Sequence, residues 1–205
     1  MKRFGLLLLA GSTWAWEPLA PLPAANGGFA CGFVEGKLLV AGGTNWEADN
    51  KNWLSTIWSY DPTSNRWSEI GELPEPRAYA ASGVMHGQLV LVGGSDGERV
   101  LPGVIAINAR GMVTELGTCD NATAYSSSWV SGGSLVMAGG ATSPSDLTTL
   151  SSVVQALAFE DNKEFRFSRI NAPPMPEFGF GTAASAGKTY LFGGATHQGS
   201  GPVAN

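Results

Sequence analysis

Four times the chain runs from a glycine through five mostly apolar residues into a glycine pair. The copies are Gly36-Lys-Leu-Leu-Val-Ala-Gly42-Gly43, Gly87-Gln-Leu-Val-Leu-Val-Gly93-Gly94, Gly133-Ser-Leu-Val-Met-Ala-Gly139-Gly140 and Gly187-Lys-Thr-Tyr-Leu-Phe-Gly193-Gly194. Gly42, Gly93, Gly139 and Gly193 are spaced by 51, 46 and 54 residues. A five-residue apolar run stopped by a glycine pair is a buried strand, too short for a helix. Its return about every 50 residues describes an array of small sheets. The 28 glycines and seven Trp in 205 residues suit many tight turns between buried strands.

The first repeat shows the whole unit. Phe29–Val34 and Lys37–Ala41 read as strands joined by the Glu35-Gly36 turn, and Thr44–Trp53 reads as a long loop. Thr56–Tyr60 and Arg66–Ile70 are the third and fourth strands, and Asp61–Asn65 is the turn between them. Tyr60 and Trp67 flank that turn as a packing pair. Trp16, Trp67 and Phe167 each lead at one offset into a proline-bearing crossover, at Leu22-Pro23, Leu73-Pro74 and Pro173-Pro174. The second repeat places its outer strands at Val104–Asn108 and Gly111–Glu115. The third reads Ala124–Val130, Ser134–Ala138, Val153–Phe159 and Glu164–Ile170, with a surface loop over Thr142–Ser152. The fourth supplies Phe180–Ala186 and Lys188–Phe192, and Ala195–Asn205 then runs out.

Such a unit is a blade of a kelch-type β-propeller, so the expected fold is all-β. About three complete four-stranded blades are expected, with partial first and last ones. Trp16–Leu19 is read as a fourth strand with no blade before it. The count matches part of a larger ring, incomplete at the C-terminus; the alternative is a four-bladed ring in which the N-terminal strand joins the last two strands.

Lys2, Arg3, the apolar run Phe4–Ala10 and Thr13-Trp14-Ala15 read as a signal peptide over residues 1–15, leaving a propeller domain over 16–205. The alternative is an apolar first strand. The signal implies a secreted or periplasmic protein, with no membrane attachment after cleavage. Net charge is −5, which excludes a basic face for nucleic acid. Cys31 and Cys119 lie in different repeats; Cys31 alternates within an apolar strand and reads as a buried free thiol. Two Cys and two His lack metal-ligand spacing, so neither a metal nor a cofactor is expected.

Three strings carry a closer resemblance. They are Gly42-Gly43-Thr44-Asn45-Trp46 with Lys51 and Trp53, Pro76-Arg77-Ala78-Tyr79-Ala80-Ala81-Ser82, and Gly93-Gly94-Ser95-Asp96-Gly97-Glu98-Arg99. With the start on Trp16 and Leu22-Pro23, the chain resembles the cyclically permuted mutarotase branch of kelch proteins, which includes N-acetylneuraminate epimerases. The resemblance implies a six-bladed ring acting on the anomeric centre of a sialic-acid-like sugar outside the cytoplasm.

Strands within a blade alternate in direction. The loops from second to third strand therefore share a face with the crossovers into each first strand, and ligands favour that mouth. Asn45, Trp46, Glu47, Arg77, Ser95, Asp96, Asn121, Glu177 and His197 fall there. Mutarotation needs a proton acceptor and a proton donor around the sugar ring. Glu47, Asp96, Glu177 and His197 are the candidates for those roles. Arg77 is the candidate for gripping a carboxylate, and Trp46 for stacking on a sugar face. Asn45, Ser95 and Asn121 complete the candidate substrate contacts. Two functions stay open: a sugar-acid mutarotase or epimerase, an isomerase, and a non-catalytic propeller that binds carbohydrate or protein.

Overall fold

The computed structural model describes residues 17–160, 164–171, 178–185, 188–198 and 201–204. The first blade is the antiparallel sheet β1 (Ala30–Val34), β2 (Lys37–Ala41), β5 (Thr56–Asp61) and β6 (Arg66–Glu72), with the hairpin β3 (Thr44–Glu47) and β4 (Asn50–Trp53) rising between β2 and β5. The second is β7 (Ala81–Met85), β8 (Gln88–Val92), β9 (Gly103–Ile107) and β10 (Val113–Thr118). The third is β11 (Ser127–Ser131), β12 (Ser134–Ala138), β13 (Val154–Phe159) and β14 (Phe165–Arg169). Two hairpins follow: β15 (Gly181–Ser185) with β16 (Lys188–Phe192), and β17 (Ala195–Gln198) with β18 (Gly201–Ala204). The first strands β1, β7, β11 and β15 are neighbours in space, as the innermost strands of a propeller must be.

Blades stack through their apolar faces. Leu39 and Ile57 of the first blade pack with Leu89, Leu91, Ile105 and Ile107 of the second, all essentially buried. Val90, Val92, Val104 and Ala106 of the second pack on Leu135, Met137 and Leu157 of the third. A Cβ on Gly83 would lie 2.6 Å from Val130 Cγ2 and 2.9 Å from Leu135 Cδ1, so the inner strands meet almost backbone to side chain. Tyr60 and Trp67 are cross-strand partners with ring centroids 5.1 Å apart, as the turn between them suggested.

The glycine pairs are the stitching points of the array. Gly43 N–H donates to Arg77 O at 2.9 Å and Gly94 N–H to Thr123 O at 3.0 Å, each reaching the crossover into the next blade. A side chain on Gly42 would collide with that same Arg77 carbonyl, and one on Gly93 with the Thr123 carbonyl. Both positions also sit at positive φ, +63° and +70°. The second glycine's carbonyl accepts from the backbone at the entry to the third strand: Leu54 N–H to Gly43 O, Leu101 N–H to Gly94 O, and Ser151 N–H to Gly140 O. The first glycine's carbonyl takes a side chain sixteen positions earlier: Asn26 Nδ2 on Gly42 O (2.8 Å), Arg77 Nη1 on Gly93 O (3.2 Å), Thr123 Oγ1 on Gly139 O (2.9 Å). The residue after each pair then bridges back to the crossover, as Thr44–Gly27, Ser95–Ala78, Ala141–Ala124 and Ala195–Phe178.

Four expectations are corrected. Thr44–Trp53 is a hairpin, because Thr44 pairs with Trp53, Asn45 with Asn52, Trp46 with Lys51 and Glu47 with Asn50. The tail after Ala195 likewise forms β17–β18 instead of running out. Trp16 lies outside the described residues, and Glu17–Leu22 is not a strand. That segment is tied to the turn after β5: Ala20 N–H donates to Asn65 Oδ1 and Trp67 Nε1–H donates to Ala20 O, which uses the backbone groups a strand would need. Cys31 is exposed, while Cys119 is buried, and both thiols are free. Ala30 and Val34 turn toward the second blade, so Cys31 and Phe33 occupy the opposite face of β1, where no described blade covers them.

Candidate ligand site at the propeller mouth

The hairpin β3–β4 and the starts of β7 and β11 converge on one face. Tyr79 and Tyr125 occupy equivalent places two residues past Arg77 and Thr123. Both have left-handed backbones, φ +57° and +65°. Glycine holds the matching places at Gly28 (φ +67°) and Gly179 (φ +69°). A bulky residue in that region costs about 1–3 kcal/mol and persists only where its surroundings hold it. Here Tyr79 N–H donates to Gly28 O (2.7 Å) and Tyr125 N–H to Tyr79 O (3.0 Å), so the strained residues link blade to blade.

The two phenol rings lie 4.6 Å apart, and Trp53 meets Tyr79 edge-on at 5.7 Å. Lys51 Nζ sits over both the Trp53 and Tyr79 rings, 4.7 and 5.0 Å from their centroids. It donates to Tyr79 Oη at 3.1 Å. Thr44 Oγ1 donates to Gly27 O and lies 3.3 Å from Tyr79 Oη, which leaves the phenol as the donor to Thr44. A hydrogen-bond chain therefore runs Lys51, Tyr79, Thr44, Gly27. Burial alone would raise the Tyr79 phenol. The hydrogen bonds with Thr44 and Lys51 and the Lys51 charge outweigh it, so its pKa falls below the ordinary 10.0. Burial, and then the neighbouring Tyr79, push Tyr125 the opposite way.

The candidate residues from sequence distribute unevenly around this cluster. Asn45 is half-buried in β3 and accepts from Asn52 Nδ2 at 3.0 Å. Trp46, 65% exposed, is the cross-strand partner of Lys51, and exposed Glu47 pairs with Asn50 at the hairpin's outer end. Ser95 is fully buried and its Oγ accepts from Gly97 N–H. Asp96 accepts from Glu98 N–H and Arg99 N–H and pairs with Arg99 Nε at 3.3 Å. Slight burial would raise its carboxyl, but those two N–H groups and the guanidinium hold it below 3.8.

Arg77 is 4% exposed, with Nη1 on Gly93 O (3.2 Å) and Gly103 O (2.8 Å), and with Nη2 3.5 Å from Glu75 Oε1. Asn121 carries an exposed side chain and accepts Gln155 Nε2 on its carbonyl, beside a separate 240 Å³ cavity. Glu177 lies outside the described residues. His197 lies in β17, opposite Pro202. Among the described residues, no group of three or more His, Cys, Asp or Glu could hold a metal ion.

The comparisons with known proteins agree with this architecture. The family model for the Kelch motif matches residues 25–74, the first blade with its crossover. Over 91% of the chain, the fold superposes on the solved structure of YjhT with a TM-score of 0.79 at 17% identity, covering 64% of that chain. The chain is a kelch-repeat β-propeller. Among relatives, the propeller is similar to the mouse influenza virus NS1A-binding protein homolog, 38% identical over 81 residues. It is also similar to the F-box/kelch-repeat protein At1g22040 of Arabidopsis thaliana, 39% identical over 69 residues. The matches cover 40% and 34% of this chain but only 12% and 14% of those proteins.

Lys51, Trp53, Tyr79 and Tyr125 were not among the site residues read from sequence. The first three stood inside the strings that carried the resemblance. Tyr79 and Tyr125 had a signal of their own: with Gly28 and Gly179 they repeat at the spacing of the glycine pairs, and a tyrosine in a glycine's place marks a backbone held against its preference.

Proposed function

We propose that this propeller is a sugar-acid mutarotase or epimerase, working outside the cytoplasm, with its substrate seated against Lys51, Trp53, Tyr79 and Tyr125. The observation that carries the reading is the Tyr79 phenol, placed on a strained backbone between an ammonium and a hydroxyl. An aromatic wall stacks on the apolar face of a sugar ring. Lys51 supplies the positive charge that a sugar carboxylate seeks at the mouth, whereas Arg77 lines a separate cavity.

The chemistry suits the phenol. Opening the ring moves the anomeric hydroxyl proton to a base while the ring oxygen gains a proton; the bond from the anomeric carbon to the ring oxygen breaks and a carbonyl forms. Closure on the other carbonyl face reverses each transfer. The Tyr79 phenol, with its lowered pKa and Lys51 beside it to steady the phenolate, can give its proton to the ring oxygen while water takes the anomeric proton, and recover it on closure. NMR exchange between the anomers of N-acetylneuraminate tests this. Catalytic amounts of protein should accelerate the exchange, and Tyr79→Phe should remove about 100-fold or more of the acceleration. No acceleration by the wild-type protein sinks the enzymatic reading.

One observation favours a second reading, a non-catalytic mouth that binds protein. Trp46 stands 65% exposed on the projecting hairpin, and aromatic residues of that kind anchor protein interfaces. The human relative that matches 81 residues of this chain at 37% identity is named an influenza virus NS1A-binding protein.

A further inference from the structure

Arg77 is larger than its structural task requires. Asn26 and Thr123 cap the equivalent glycine carbonyls in the neighbouring repeats with one small polar group each. Arg77 performs that task with Nη1 alone. The opposite edge of the guanidinium, Nε–H beside Nη2–H, is the edge that takes a carboxylate side-on through two parallel hydrogen bonds. Among the described residues it is nearly unused: Nε is buried without a partner, and Nη2 has only the 3.5 Å contact with Glu75.

Arg77 lines a 470 Å³ cavity between the crossover and the second blade, together with Glu75, Arg99, Gly103, Glu115 and Thr118. Gly103 makes room for the guanidinium, since a Cβ there would lie 3.1 Å from Nη2. Among the described residues, Glu75 is the one carboxylate bonded to Arg77. Arg99 holds it back by drawing its other oxygen to 3.0 Å. Arg99 is itself anchored by Asp96.

We propose that this cavity is a carboxylate-binding site, separate from the mouth, in which the Nε and Nη2 edge of Arg77 receives a carboxylate that Glu75 is restrained from supplying. A small organic acid and an acidic side chain of a peptide offer the same group. The cavity suits the carboxylate and a few atoms behind it. The two cavity glutamates oppose a second negative charge, so a monocarboxylate is preferred over a dicarboxylate. Arg99 acts as a positioning residue through Glu75 and makes no contact with the ligand.

The buried Nε–H of Arg77 is the reporter. In ¹⁵N-edited NMR of the whole chain, sodium acetate should shift this signal saturably, with Kd about 1 mM. Sodium chloride at equal ionic strength should not. Glu75→Gln, which removes the competing carboxylate, should tighten acetate about tenfold. Arg99→Ala should weaken it by a similar factor, because Glu75 is then free to close on Arg77; a merely structural role for Arg99 would leave acetate affinity unmoved. In Arg77→Lys, followed through the Gly103 amide, saturable binding should disappear. A capped glutamate peptide, set against its glutamine counterpart, separates the sources: tighter binding than acetate assigns the site to protein side chains, and weaker binding to small acids. The absence of a saturable shift with acetate and with the peptide, or an equal shift with chloride, overturns the proposal. Trp53→Ala should leave acetate binding intact, so the reading of the mouth can fail independently of this one.

Discussion

Stripping the side-chain cap from the first glycine of each pair should destabilise the chain in a graded order that the geometry sets. Thr123→Ala removes a buried hydroxyl bond of 2.9 Å and leaves the Gly139 carbonyl unpaired. An unsatisfied buried acceptor costs about 1–3 kcal/mol. Asn26→Ala removes a similar bond, but it also removes Asn26 Oδ1, which is buried without a partner. The two effects oppose, and its loss should be the smallest. Arg77→Met unpairs two carbonyls, of Gly93 and Gly103, that had a charged donor. Each such bond is worth about 1.5–3 kcal/mol, offset in part by no longer burying a cation, for a net loss of about 3 kcal/mol.

Equilibrium urea unfolding reads these differences. With a slope of about 3 kcal/mol/M, the midpoint should fall by about 0.5 M for Thr123→Ala, about 1 M for Arg77→Met and less than about 0.3 M for Asn26→Ala. Thr123→Ser keeps the hydroxyl and should stay within about 0.2 M of wild type. If Thr123→Ala matched Thr123→Ser, or Arg77→Met cost no more than Asn26→Ala, the side-chain cap would not be what holds successive blades in register.

Three further outcomes follow from the mouth and its rim. Lys51→Met and Trp53→Ala should each weaken binding of N-acetylneuraminate by about tenfold or more in calorimetric titration, the first losing a charge and the second a stacking face. Gly97→Val should destabilise the chain by about 2 kcal/mol and quench binding at the mouth: Gly97 has φ +107° and its Cβ would lie 2.6 Å from Trp53 Cε2, so both backbone and ring must shift. Asp96 has a folded pKa below its ordinary 3.8, so the folded state binds fewer protons than the unfolded state as pH falls. Its contribution is present above about pH 4 and is lost through the lower folded value; the difference in urea midpoint between wild type and Asp96→Asn should therefore be constant from neutral pH to about pH 4 and vanish below it.

Periodicity makes the blades legible in the sequence, because a strand's burial and a glycine's positive φ are local demands that each repeat must meet anew. Elements that vary between repeats were read less well. The hairpin β3–β4 carries polar residues at nearly every position, Thr44, Asn45, Glu47, Asn50, Lys51 and Asn52, and hydropathy alone cannot tell such a ribbon from a loop. Cys31 obeyed its strand's alternation, but alternation does not say which of two faces a neighbouring blade will cover.

The same gap explains the candidate site. Charged residues drew attention as chemistry, yet Ser95 and Asp96 build a turn, and Arg77 spends one edge of its guanidinium on the backbone of the next blade. What distinguished Tyr79 and Tyr125 was their place in the repeat, not their residue type. A position filled by glycine in two repeats and by tyrosine in two others is where the array tolerates strain in exchange for a side chain at the mouth. Function in a repeat chain is therefore best sought where a residue departs from its own equivalents, and Arg77, standing where asparagine and threonine suffice, meets that criterion as fully as the tyrosines do.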